Sequence, residues 1–178
     1  MTLIRRERRG DVVAIRDVTA AAFRAAEHSA PPVEPGGPPG EVNLIDRLRE
    51  DEGWIPELSL VAETAGRVVG HVVGSRAFVG GVPAIGLGPL SVEPELQRSG
   101  IGAALMHAVL GAADALGEPL VGLLGDPAYY GRFGFAPAVA FGVDSPDPAW
   151  GDYFQVRALA TYRGHSGLFR YAAPFDVV

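Results

Sequence analysis

Gly100 and Gly102 are the residues of this chain whose spacing points most directly to binding chemistry. They lie in the run Leu90-Ser91-Val92-Glu93-Pro94-Glu95-Leu96-Gln97-Arg98-Ser99-Gly100-Ile101-Gly102-Ala103. There an apolar segment ends, a short polar loop follows and a helical pattern begins. The first turn of a helix exposes backbone N–H groups and the positive end of the helix dipole. Glycines remove the side chains that would hold an anion at a distance, so the segment offers a phosphate or pyrophosphate seat made of backbone. Arg98 adds a permanent positive charge beside it. Two other owners of such a loop are excluded. A Walker loop ends in Gly-Lys-Ser/Thr, and the chain contains no lysine. A dinucleotide fingerprint places a third glycine three residues after the second, where this chain has Leu105. An ordinary glycine-opened helix without a ligand stays open as a rival.

A second constellation is Asp126-Pro127-Ala128-Tyr129-Tyr130-Gly131-Arg132-Phe133-Gly134-Phe135, which follows the apolar run Leu120–Leu124. Taken alone, Tyr130 reads as a core tyrosine with a satisfied hydroxyl. Other chemistries drop out. The chain has no cysteine, which removes disulfides, thiolate zinc sites and thiol nucleophiles. His28, His71, His107 and His165 show no metal-ligand spacing, so no metal is expected.

Together the two constellations resemble the GNAT superfamily of N-acetyltransferases, in particular a bacterial subgroup of predicted acetyltransferases. Gln97-Arg98-x-Gly100-x-Gly102 is similar to that family's coenzyme A pyrophosphate loop, and Tyr130-x-x-x-Gly134-Phe135 to its tyrosine helix and following turn. The strand Ile85–Val92 matches the one that bulges to admit the cofactor. Leu58-Ser59-Leu60-Val61-Ala62-Glu63 with Val69-Gly70-His71, and the closing Arg170-Tyr171-Ala172-Ala173-Pro174-Phe175, look like the bacterial subgroup. The resemblance implies acetyl-CoA as cosubstrate, bound at Leu90, Ser91, Val92, Gln97, Arg98, Ser99, Gly100, Ile101, Gly102 and Ala103. It implies direct acetyl transfer to an amine, either a small molecule or a protein N-terminus. The backbone N–H of Leu90 would hold the oxyanion and Tyr130 would protonate the departing sulfur, with Tyr129 turned away as packing. Tentative bases are Glu41 and Glu93, with His71 a further candidate. The alternative is a module that binds acyl-CoA and transfers nothing.

Composition agrees with such a protein. Hydrophobic residues make up 48% and charged residues 20% of 178 positions, the balance of one globular domain spanning 1–178. No apolar run approaches the ~18 residues of a spanning helix, and the arginines near the start precede no signal-like stretch. A cytoplasmic monomer or homodimer away from membranes is expected. The net charge of −6 argues against nucleic acid.

The elements that must carry these residues follow from periodicity. An edge strand is expected over Leu3–Arg8, and a helix from Val12 to about Ala26 with Ile15, Thr19, Ala22 and Phe23 on one face. The Pro/Gly-rich segment from Ala30 to Gly40 breaks both helix and strand and predicts a mobile loop. Glu27, Glu34 and Glu41 around it suggest that a cationic amine enters there. A short helix buries Leu44, Ile45 and Leu48. Leu58–Glu63 and Val68–Ser75 form a hairpin, with Arg76–Val79 either a third strand or a continuation. Ala84–Val92 is a strand with a bulge at Gly88-Pro89. Gly100–Leu116 is a helix with Ile101, Ala104, Leu105, Ala108, Ala112 and Ala115 inward. Strands over Leu120–Leu124, Val139–Val143, Tyr153–Leu159 and Leu168–Tyr171 and a short helix over Pro127–Phe133 complete the chain. The class is α+β (mixed α/β). The resemblance refines it to a central, mostly antiparallel sheet flanked by helices, with one splayed parallel strand pair.

Overall fold

The computed structural model describes residues 1–177. In chain order the elements are β1 (Thr2–Arg6), α1 (Val12–Arg24), α2 (Gly40–Glu50), β2 (Trp54–Thr64), β3 (Arg67–Val79), β4 (Val82–Val92), α3 (Ile101–Ala115), β5 (Leu120–Leu124), α4 (Pro127–Tyr130), β6 (Ala136–Pro137), β7 (Val143–Asp144), β8 (Phe154–Ala158) and β9 (Gly167–Arg170). The strands run β1-β2-β3-β4-β5-β8-β6 across one sheet, and β9 joins the end of β3. Every pair along that path is antiparallel except β4 with β5, which is parallel. Arg76–Val79 continues the hairpin strand β3 rather than starting a new one.

Alternation along the strands sorts the core into two layers. Leu58, Leu60, Val72 and Ile85 face α3 and meet its Leu105, Met106 and Val109. Val61 and Val73 point to the other face and meet Ile15 of α1 and Leu44, Ile45 and Leu48 of α2. Each such fully buried aliphatic side chain contributes about 1.5–3 kcal/mol. The stripe of α3 differs from the expected one. Ile101, Leu105, Met106, Val109, Leu110 and Ala113 are buried, whereas Ala104 and Ala115 face solvent. The larger apolar side chains win the buried face because they remove more surface from water than alanines do.

The tail departs further from expectation. Val139–Val143 is not a strand: Ala138–Phe141 winds into a 3-10 turn, Val139 is exposed, and only Val143–Asp144 pairs, in parallel with β9. Pro137 before this segment and Gly142 after it leave too few residues for a ladder, so local β-propensity gives way to the turn.

The C-terminal stretch holds the parallel pair in place. β4 and β5 share only the rungs Ile85↔Val121 and Gly86↔Gly122. A Cβ at Gly86 would lie 2.5 Å from the ring of Tyr171, and one at Gly122 2.5 Å from the ring of Phe169. Both rings therefore rest directly on the backbone where the two strands meet, a close approach that only glycine permits.

Beneath α1 and α2 lies a buried polar cluster. Ser59 Oγ donates to Glu7 Oε2 at 2.5 Å. Its lone pair then accepts from His71 Nε2 at 2.9 Å, so the proton of a neutral His71 sits on Nε2. Arg49 Nε donates to Glu7 Oε1 at 2.7 Å. His71 is 0% exposed, and burial holds its pKa below the usual histidine value despite the hydrogen bond to Glu7. Burial alone would raise the Glu7 carboxyl, but hydrogen bonds from His71, Arg49 and Ser59 outweigh it and hold the group at about 2. Both groups bind protons more weakly folded than unfolded, so both stabilise the protein above their unfolded values and lose that contribution on acidification. His71 acts as pH falls below about 6.5, and Glu7 below about 4.3. The thermal midpoint is expected to drop from pH 7 to pH 5. His71→Gln should be less stable at pH 7 but show a flatter slope in that window; an unchanged slope in a pH series of thermal melts would place the titration elsewhere.

Candidate active site

β4 is bulged on one side and abandoned on the other. Its register with β3 runs Val72↔Leu90 and Gly74↔Leu87, so β4 holds one extra residue there, at Gly88-Pro89, whose peptide bond is cis. Past Gly86 the neighbouring β5 no longer pairs with it. Glu93 N donates to Val69 O at 2.9 Å on the β3 side, whereas Val92 O accepts from Gln97 Nε2 at 3.3 Å. Backbone direction alternates along a strand. Leu90, like Val92, therefore turns its N–H and C=O toward the gap that β5 leaves. Two clefts meet at this gap, one of about 650 Å³ and one of about 1010 Å³, and Phe23 and Leu90 line both.

The smaller cleft lies at the turn where the sequence places an anion seat. The loop enters α3 through left-handed backbone at Arg98 (φ 63°) and Gly100 (φ 93°), which turns the free N–H groups of the first helical turn outward. Leu90, Val92, Gln97, Arg98, Gly100, Gly102 and Ala103 line it together. Three expected residues direct their side chains elsewhere: Ile101 enters the core, Ser91 pairs with Thr19 at 3.2 Å, and Ser99 Oγ donates to Leu96 O at 2.5 Å.

Sequence reasoning missed the opposite wall, built by Tyr129, Arg132, Ala22 of α1 and Ala26 just beyond its end. Tyr129 is not turned away: a Cβ at Gly102 would lie 2.8 Å from its hydroxyl. The Arg132 guanidinium lies 4.7 Å over the Tyr129 ring, and its Nε donates to Tyr129 O at 2.9 Å. The available signal was the i, i+3 spacing of Tyr129 and Arg132, which sets both on one face of a helical turn. Arg98 and Arg132 take part in no ion pair among the described residues. The seat is thus locally cationic within an acidic chain.

Tyr130 lines the larger cleft, beside Leu87–Leu90. Asp126 caps the short α4 by accepting from Ala128 N at 2.9 Å, and the Tyr130 ring packs edge-on to Tyr129 at 4.9 Å and to Phe135 at 6.1 Å. Burial first, then the neighbouring Tyr129 and Asp126, push its pKa well above the usual tyrosine value. It is a neutral phenol with a proton to give. Glu41, 7% exposed, lines the same cleft. It clasps the base of the Pro/Gly-rich loop, accepting from Ala30 N at 2.6 Å and Ser29 Oγ at 3.0 Å. The exposed Glu27 and Glu34 do not line either cleft. Nor do Glu93, bound to Arg67 at 2.7 Å, and His71, sealed under α1. No group of His, Asp and Glu among the described residues could hold a metal ion, and no helix there is long and apolar enough to cross a membrane.

A family model described as the acetyltransferase (GNAT) domain matches residues 56–137. The Escherichia coli (strain K12) protein described as the uncharacterized N-acetyltransferase YhbS is 35% identical over 141 residues, which is 76% of this chain and 83% of that protein. Among solved structures, the GNAT family N-acetyltransferase YhbS from Escherichia coli in complex with CoA superposes with a TM-score of 0.85 at 30% identity, covering 98% of this chain and 92% of that one. A GNAT family acetyltransferase from Brucella melitensis in complex with acetyl-CoA gives 0.79 at 36% identity, covering 99% of each chain.

The clasp at Glu41 is testable independently of any ligand. Glu41→Ala removes two hydrogen bonds to a buried carboxylate and should cost about 1.5–3 kcal/mol. Hydrogen exchange should quicken at the Ala30 amide. Unchanged protection there would mean that the proline-rich segment is held by something else.

Proposed function

The chain belongs to the GNAT acetyltransferase family, and we propose that it transfers acetyl directly from acetyl-CoA to an amine, with residues 1–178 acting as one catalytic unit in the cytoplasm. The observation that carries this reading is the gap beside Leu90 and Val92. It joins an anion seat to a cleft that holds a neutral, enclosed tyrosine. The seat also fits the cosubstrate: a side chain at Gly102 would fill the space in front of the Tyr129 hydroxyl. Two related enzymes carry CoA or acetyl-CoA in their solved structures.

In this reading the pyrophosphate rests on backbone N–H groups between Gln97 and Ala103, with Arg98 and Arg132 supplying charge. The pantetheine amides pair with the open edge of β4 at Leu90 and Val92, as an added strand would. The Leu90 N–H stabilises the oxyanion as the amine nitrogen adds to the thioester carbonyl. When the tetrahedral species collapses, the C–N bond stays, the C–S bond breaks, and the sulfur takes the phenolic proton of Tyr130. The amine arrives as an ammonium ion, pKa ~10, and must lose two protons. One restores Tyr130 and one leaves to solvent, so an alkylammonium and acetyl-CoA become an amide, CoA thiol and one proton. Of the three candidate bases, Glu41 borders the cleft and relays that proton through water. Glu93, held by Arg67, takes no part.

Tyr130→Phe removes only the hydroxyl. Single-turnover thiol release should fall ~10²–10⁴-fold with acetyl-CoA affinity little changed. Tyr129→Phe should instead weaken acetyl-CoA binding and spare the chemical step. Parent-like turnover by Tyr130→Phe would pass the proton to another donor, and absence of thiol release with any amine would leave a module that only binds.

Gly102→Val should keep the fold, because the atom it meets is the mobile end of Tyr129, yet reduce acetyl-CoA affinity by at least about tenfold, roughly 1.4 kcal/mol. Calorimetry giving parent affinity for the folded variant would move the pyrophosphate away from this turn.

A further inference from the structure

We propose that the acceptor is a small primary amine carried on a flat, apolar, aromatic body, an arylalkylamine in chemical class. This rests on the acetyl-transfer reading above. The larger cleft is walled by aromatic rings brought from separate parts of the chain: Phe23 from α1, Trp150 from the turn before β8, and Phe169, Tyr171 and Phe175 from the C-terminal stretch. Phe169 meets Tyr171 edge-on at 4.8 Å, and Tyr171 stacks on Phe175 at 4.4 Å. Phe169 is fully buried and braces its neighbours, whereas Phe23, Trp150, Tyr171 and Phe175 keep partial exposure. Tyr171 rests on the bare backbone of Gly86, so this aromatic wall is fixed to the sheet and lies next to Leu90 and Tyr130.

Charge narrows the class. The charged lining consists of the carboxylates of Glu41 and Asp176 and the guanidinium of Arg170, a formal excess of one negative charge. That balance suits one ammonium group, which the ring faces also attract. A polyamine brings several cations and would find a carboxylate for only some of them. An amino sugar needs a partner for each of its hydroxyls, and the polar side chains of the lining, His28, Ser29, Glu41, Arg170 and Asp176, are few beside its aromatic rings. Glu27 and Glu34, which would have enlarged the acidic surface, stand outside the cleft. An aromatic body laid against Phe23, Trp150, Tyr171 and Phe175 removes apolar area from water on both sides, and its short alkyl arm can carry the nitrogen to the gap beside Leu90.

The experiment compares 2-phenylethylamine and tryptamine with spermidine, kanamycin and a polar tetrapeptide bearing a free N-terminus. It uses thiol release from acetyl-CoA and, separately, calorimetric titration of each amine into the CoA-saturated protein. The expected result is kcat/KM for the aromatic amines at least about tenfold above the others. Trp150→Ala should raise their KM about tenfold while the KM for acetyl-CoA stays put. Phe23→Leu, which keeps apolar bulk and loses the ring, should act in the same direction and covers the case in which Trp150→Ala does not fold. Preference for spermidine, kanamycin or the peptide overturns the inference while leaving acetyl transfer intact. So does an aromatic preference that neither variant alters. Calorimetric binding of 2-phenylethylamine without thiol release from any of the amines would instead overturn the transfer reading and leave the class of bound amine standing; no binding of either aromatic amine overturns that class.

Discussion

Interrupted strand pairing is the constraint on which this molecule is organised. A strand inside a sheet ordinarily satisfies its backbone groups on both sides, and a buried N–H or C=O without a partner is costly. β4 does this at Ile85 and Gly86, where β5 pairs with it, and then does not. From Leu90 to Val92 one side still faces β3, while the other faces the gap. Gln97 closes part of it by donating to Val92 O; the rest stays open to a strand-like ligand. The bulge at Gly88-Pro89 bends β4 where this opening begins, and both clefts of the site are organised around it.

An opening of this kind must be prevented from closing or spreading. The aromatic rings of Tyr171 and Phe169 sit on Gly86 and Gly122, and β9 is stitched to the far end of β3 through Phe78↔Arg170 and Val79↔Phe169. The last part of the chain thus lies across the point where the two strands diverge. On the opposite face, α3 packs along β2, β3 and β4 through Leu105, Met106 and Val109, which fixes the direction of its N-terminus at the smaller cleft. The same packing that stabilises the sheet aims the free N–H groups. Arg76 and Glu118, in a two-bonded ion pair at 2.7 Å, tie β3 to the turn just before β5 and add a polar tie near the divergence.

Electrostatics in the site is local and opposes the overall charge. The chain is acidic, at −6, yet the arginines flanking the seat, Arg98 and Arg132, lack protein carboxylate partners among the described residues. Arg5, Arg49, Arg67 and Arg76 by contrast are consumed in ion pairs. A screened surface charge acts over about 8–10 Å, so the potential in the smaller cleft is set by the nearby guanidinium groups and helix dipole rather than by the distant carboxylates. Glu41 and His71 show the complementary use of polar groups. Each is held by buried hydrogen bonds, one pinning the loop beside the larger cleft and the other knitting β2 and β3 under α1.

What the sequence determined by itself is the set of features whose physics is local. Gly100 and Gly102 mark a helix start whose backbone is open to an anion, from a handful of adjacent residues. The apolar run Leu120–Leu124 reads as a covered strand, Gly88-Pro89 as a bulge, and Pro127–Phe133 as a short helix, because each depends on neighbours a few positions away. Tertiary structure decided everything that depends on which face meets what. Ser91 and Ser99 stand in the binding run but turn to Thr19 and Leu96, while Tyr129, outside that run, turns toward Gly102. Glu93 is drawn off by Arg67, across a strand pair, and Glu41 is brought to the cleft by the clasp on Ala30. The inward stripe of α3 shifted toward its larger side chains, and Val139–Val143 lost its strand to a turn. Gly86 and Gly122 meet the rings of Tyr171 and Phe169 from positions far apart along the chain. Periodicity reports the face of one element; the partner of that face is set by long-range strand register and by competition among all buried surfaces at once, and no local window of sequence contains either.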